Sequence, residues 1–158
     1  MERLASQDAV RRLWDRDASL WTTDRATQAL IRTRLGWLTI SHVMAQQADV
    51  LRQFTQEVRE SGFTHAFLLG MGGSGLFAEV CSHTFGVAPN HPGFTVLDTT
   101  DPTALRTRQG RHPLQQLLVV MSSKSGATSE TTALATHFYA AFQSVDGPPG
   151  SHCLAITD

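Results

Sequence analysis

Two hydrophobic periods divide the chain. From the N-terminus to about residue 62 the apolar positions recur at helical spacing: Leu4, Val10, Leu13 and Trp14 form one set. Asp24 is placed to cap a helix running to Leu35, and Ile40 to Arg59 carries Val43, Met44, Val50, Leu51, Phe54 and Val58 on one side. Glu60-Ser61-Gly62 ends that stretch, with glycine just past the last periodic residue.

From Phe63 the pattern changes to short, continuous apolar runs: His65–Leu69, Phe94–Leu97, Leu117–Met121 and Cys153–Ile156. Such runs are expected of strands buried on both faces. Between them lie segments of helical character, Ser74 to Phe85, Pro102 to Arg108 and Thr128 to Phe142, and Pro148-Pro149-Gly150 marks a turn before the last run. Strands alternating with helices predict an α/β fold, a three-layer sandwich with a parallel sheet. The expected organisation is a helical segment at 1–62 and an α/β domain at 63–158. A fourth parallel strand should lead into a further loop and helix, so the reading is of a domain cut after its fourth strand.

The chain has 158 residues, 41% of them hydrophobic, and a formal net charge of −1 from 13 basic and 14 acidic residues. That length suits one core, and that charge gives no global footprint for nucleic acid or an anionic membrane. No apolar run reaches the roughly 20 residues of a membrane span, and the N-terminus has no signal-peptide core. Cys81 and Cys153 are far apart, which fits neither a disulfide scaffold nor a zinc knuckle, and Cys81 with His83 is too small a set for a metal site. The expectation is a cytoplasmic protein without metal or cofactor. Twelve of the basic residues are arginines; the single lysine is Lys124.

The candidate chemistry lies in two loops. The first strand runs into Gly70-Met71-Gly72-Gly73-Ser74-Gly75 and a helix. Glycines there permit a tight turn and close approach of a ligand to backbone, and the helix N-terminus attracts an anion. The same residues satisfy G-x-G-x-x-G, and Asp98 stands about where a ribose-binding acid belongs, so a dinucleotide site is one reading. The third strand runs into Ser122-Ser123-Lys124-Ser125-Gly126-Ala127-Thr128-Ser129-Glu130-Thr131 at the start of another helix. Hydroxyls, a lysine and free amides together suit a phosphate monoester, although the order is not that of a Walker A loop. In a flavodoxin-like strand order, strands one and three flank the ligand crevice, and both loops would face one ligand. A dinucleotide needs only the first. Each loop also has a plainer explanation: glycines for packing, Ser123, Ser125 and Thr128 as helix caps, and Glu130 as a first-turn carboxylate.

The pair of motifs, with Leu97-Asp98-Thr99-Thr100-Asp101-Pro102 between them, resembles the ligand loops of the glucose-6-phosphate isomerase family, in the first of its two sugar isomerase (SIS) domains. Asp17-Ala18-Ser19-Leu20-Trp21 and Arg34-Leu35-Gly36-Trp37-Leu38 are similar to the isomerase portion of bifunctional transaldolase/glucose-6-phosphate isomerases. The resemblance runs from about Asp15 to Asp158. It implies that Ser123, Lys124, Ser125, Gly126, Ala127 and Thr128 bind the substrate phosphate and that Gly73 and Ser74 touch the substrate; Glu130 is a candidate site carboxylate by its position alone, with a first-turn role as the alternative. Ala127 departs from the family, which usually has a hydroxyl there. The family's reaction interconverts aldose and ketose phosphates through a cis-enediol, with a glutamate base and ring-opening histidine and lysine groups that lie beyond this sequence. None of the seven histidines here matches that motif, so no catalytic residue is expected in this chain. The implied partners are a phosphorylated hexose, the remainder of an isomerase chain and a second copy in a homodimer. The competing reading within the same fold is a SIS sensor that binds a sugar phosphate and catalyses nothing. The helical N-terminus, which carries no basic recognition helix, argues against it.

Overall fold

A computed structural model describes residues 8–157 of the chain. Leu4 and Asp158 therefore lie outside the described residues. The chain separates into two compact units, Met1–Phe54 and Thr55–Asp158.

The first unit is helical. It comprises α1 (Ala9–Trp14), a 3-10 turn at Ala18–Leu20, α2 (Arg25–Thr33), a second 3-10 turn at Gly36–Leu38, α3 (Ile40–Gln46) and the first half of α4 (Ala48–Glu60). Asp24 caps α2 as its position predicts, its carboxylate accepting the Thr27 amide at 2.7 Å. Asp17 caps the first 3-10 turn through the Ser19 amide and also receives the Arg12 guanidinium at 2.7 Å. Arg16 donates to the Thr39 hydroxyl at 2.6 Å, joining segments 23 residues apart. Among the described residues of this unit, only Ala18, Leu35 and Leu38 are buried and apolar.

The single helix expected from Ile40 to Arg59 is two. At Gln47 the amide is shared between the Met44 and Val43 carbonyls, at 3.1 and 3.3 Å, so the ladder tightens by one residue before α4 resumes. The apolar side of this pair is largely exposed, with Val50 at 60% and Ile40 at 50% of full accessibility. Gly62 follows α4 with a positive φ of 83°, and its amide bonds the Arg59 carbonyl at 3.3 Å.

The second unit is a parallel sheet covered on both faces: β1 (His65–Leu69), α5 (Gly73–Phe85), β2 (Gly93–Leu97), α6 (Pro102–Gln109), β3 (Leu117–Ser122), α7 (Ser129–Phe142) and β4 (Cys153–Ile156). The strand order is β2-β1-β3-β4, the flavodoxin-like order expected, and every pairing is parallel. Leu69 lies level with Leu97 on one side and Met121 on the other. The alternation along each central strand fills two cores. Phe67, Leu69, Leu117 and Val119 meet Leu134, Phe138 and Phe142 of α7, with Leu105 of α6. Leu68, Leu118 and Val120 meet Ala78 of α5, with Val58 and Phe63. Full burial of one such side chain stabilises the fold by about 1.5–3 kcal/mol, which is why continuous apolar runs make these strands. His152 belongs to the core: its Nδ1 is 3.1 Å from the Leu117 carbonyl oxygen and its ring stacks on Phe142 at 4.7 Å. Asp101 caps α6 through the Ala104 amide at 2.7 Å, with Pro102 opening the helix.

Candidate functional site

Two loops leave the sheet side by side because β1 and β3 are neighbours and parallel. The helices they enter pack on opposite faces, α5 with the Leu68 cluster and α7 with the Phe67 cluster. The loops therefore part at the switch point of the sheet, where open α/β folds bind ligands.

The first loop contains glycines of three kinds. Gly70 and Gly75 are there for packing: a Cβ on Gly75 would stand 2.7 Å from the Gly70 carbonyl oxygen and 2.9 Å from a methyl of Val96. Gly72 has φ 55° and ψ −127°, a conformation that side chains do not tolerate. Gly73 has open space where a Cβ would be, so a ligand can approach its backbone. The amides of Gly72 and Gly73 have no intramolecular acceptor among the described residues, while those of Ser74 and Gly75 bond Met71 and Gly72. Ser74 is half-buried in the first turn of α5. Asp98 follows β2 and is exposed, at the same end of the sheet as Gly70, whose amide bonds the Leu97 carbonyl at 3.3 Å.

The second loop is held by its own hydroxyls. Ser123 is buried, its amide bonds the Ile156 carbonyl at 3.0 Å, and its hydroxyl shares a 3.0 Å hydrogen bond with that of Thr128. The Ser125 hydroxyl accepts the Ala127 amide at 3.2 Å, and Gly126 turns with φ 67°. Thr128 is the N-cap residue of α7, yet its side chain caps no amide. Simple capping thus does not account for these hydroxyls. The amides of Lys124 and Ser125, and those of Ser129, Glu130 and Thr131 in the first turn of α7, have no acceptor among the described residues. Lys124 and Glu130 are exposed and form no ion pair among the described residues. Free amides, a helix N-terminus and one ammonium group are donors of the kind that a compact anion would take.

Thr131 is the residue whose part sequence reading left blank. Its hydroxyl is buried without a hydrogen-bond partner among the described residues. It lines a cavity of about 240 Å³ with Ser123, Gly126 and Thr157, between α7 and β4. A buried hydroxyl left without a partner costs free energy, and this one stands beside the loop. The signal lay in the motif, where Thr131 follows Glu130, but nothing in the sequence says which hydroxyls lack partners.

No known family profile matches the chain. Over 99 residues, 60% of its length, the chain is 34% identical to a glucose-6-phosphate isomerase of Synechococcus sp. (strain JA-2-3B'a(2-13)). It is 33% identical over the same length to the glucose-6-phosphate isomerase of Synechococcus sp. (strain JA-3-3Ab). The matched segment spans 18% of each relative, so the chain corresponds to a minor part of those proteins. Among solved structures, a glucose-6-phosphate isomerase from Chlamydia trachomatis has the same fold, with a TM-score of 0.65 and 24% identity over 92% of this chain and 27% of that one. A hypothetical protein from Thermus thermophilus superposes with a TM-score of 0.64 and 23% identity over 99% of this chain and 35% of its own.

Proposed function

We propose that this chain is the phosphosugar-binding part of a glucose-6-phosphate isomerase, an enzyme that interconverts glucose 6-phosphate and fructose 6-phosphate through a cis-enediol. The observation that carries the reading is the juxtaposition of two amide-rich loops at the β1/β3 switch point, each opening a helix on a different face. Sequence similarity to the two cyanobacterial isomerases supports it.

In this reading the sugar phosphate sits on the second loop. The free amides of Lys124 and Ser125 and the first turn of α7 donate to phosphate oxygens, Lys124 supplies the countercharge, and Ser125 adds its hydroxyl. Gly126 and Ala127 give the loop its close backbone approach. Ser123 acts behind it, holding Thr128 in place. Gly73 and Ser74 meet the sugar from the first loop, and Glu130 stands at the mouth as a carboxylate for substrate hydroxyls. Abstraction of the proton α to the carbonyl needs a positioned base of tuned pKa. We assign that base, and the groups that open the sugar ring, to other parts of the enzyme. Residues 1–62 are the helical lead-in and 63–158 the sugar isomerase domain of a cytoplasmic homodimer, nearest in kind to the isomerase portion of a transaldolase fusion.

Calorimetric titration with 6-phosphogluconate tests this. The wild-type chain binds, and Ser125→Ala with Thr128→Ala weakens binding at least about tenfold, the value of one or two charge-assisted hydrogen bonds, without loss of fold. Unchanged affinity in the double variant defeats the assignment. In a coupled assay the 158 residues alone turn over fructose 6-phosphate slowly or not at all, and robust turnover would place the base within this chain.

A further inference from the structure

Away from both loops, a cavity of about 290 Å³ opens beside the free edge of β2. Glu79, Ser82 and His83 reach it from α5, Thr95 from β2, and Arg108, Arg111 and His112 from the end of α6 and the turn that follows. Two of its lining residues are tied to His65, whose Nε2 is 2.9 Å from the Thr95 hydroxyl and whose ring stacks on His112 at 3.7 Å. That stack fixes the His112 ring on the cavity wall.

The charge in this cavity is unbalanced. Elsewhere in the chain Arg11, Arg12 and Arg52 pair with carboxylates. Arg108 and Arg111 have no such pair among the described residues, although Glu79 lines the same space. Arg108 donates one Nη1 hydrogen bond to the Val96 carbonyl at 2.8 Å, which anchors the guanidinium on the strand edge, and its other donors have no acceptor among the described residues. An anchored guanidinium and a second beside it, with two hydroxyls and two imidazoles, form a fork-bearing receptor for a tetrahedral dianion. The volume stands at the lower limit of small-molecule sites, roughly 300–1,000 Å³, which excludes a nucleotide and suits phosphate or a three-carbon phosphomonoester.

We propose that the β2-edge cavity is a second anion site, specific for inorganic phosphate or a small phosphomonoester and independent of the loop site. Arg108 and Arg111 bind the phosphate oxygens, Ser82 and Thr95 donate hydroxyl hydrogens, and Glu79 accepts from a hydroxyl of the ester.

An amide NMR titration of the full chain with inorganic phosphate and with glycerol 3-phosphate tests this. Shifts are expected at Ser82, His83, Val96, Arg111 and His112. They should persist in the Ser125→Ala/Thr128→Ala background, which separates this site from the loops. Arg111→Gln, at an exposed position without side-chain partners among the described residues, should weaken binding there about tenfold with an unchanged melting temperature, and Arg111→Lys should lose less. Binding of both probes at the edge assigns a phosphomonoester; binding of phosphate alone assigns the inorganic ion. Shifts confined to residues 122–131, or equal affinity in Arg111→Gln, would overturn the proposal.

Discussion

His65 is held neutral. Burial beneath β2, with repulsion from the adjacent His112, lowers its pKa from 6.5 to about 4. An unfolded histidine takes up its proton as pH falls through 6.5, whereas the folded ring does so only near 4. The stabilising effect is complete above pH 6.5 and is lost between 6.5 and 4. For a half-buried ring, after allowance for solvent screening, the loss is about 1–2 kcal/mol. Urea denaturation at intervals of pH should show that slope, flattened in His65→Gln; an equal slope in the variant would refute it. Thr131 gives a prediction of opposite sign. Replacing its unpartnered hydroxyl by the methyl of valine should stabilise the fold by about 1 kcal/mol, read as a higher melting temperature, while weakening phosphosugar binding. A lower melting temperature would mean that the hydroxyl has a partner. Such facts were not legible in the sequence, because Thr131 and His65 acquire their character from neighbours that the sheet brings near.

At the scale of elements the sequence was far more legible. Continuous apolar runs at 65–69, 94–97, 117–121 and 153–156 mark the four strands within one residue at either end, since a strand buried on both faces has no polar period to obscure it. Asp24, Asp101 and Gly62 bound their helices by local chemistry alone. The break at Gln47 was not legible, because no glycine or proline marks it; a shared hydrogen bond does. The two candidate sites divide the same way. The glycine and serine loops were evident from composition and position, but Arg108, Arg111, His83 and Thr95 are scattered over 29 positions and only the strand order gathers them. The close strand-to-helix packing of the first loop has a direct test. Gly75→Ala pushes a methyl into the Gly70 carbonyl and Val96 and should cost about 1–3 kcal/mol, whereas Gly36→Ala, with open space around it, should be near neutral. Similar denaturation midpoints for the two would contradict that packing.

The two units differ most as wholes. Met1–Phe54 has three buried apolar side chains among its described residues, whereas Thr55–Asp158 has two cores around a four-stranded sheet. Hydrogen exchange should find amides of α2 and α3 weakly protected and those of β1 and β3 protected to the global limit. Equal protection would assign both units to one cooperative core. The central claim concerns the second unit alone, that the loops after β1 and β3 together hold a phosphorylated hexose. Its most direct test is an amide NMR titration of the chain with fructose 6-phosphate, run beside NAD. The account predicts saturable shifts at Gly72–Ser74 and Lys124–Glu130 together, with none from NAD; NAD shifts at Gly70–Gly75 alone, with fructose 6-phosphate silent, would contradict it.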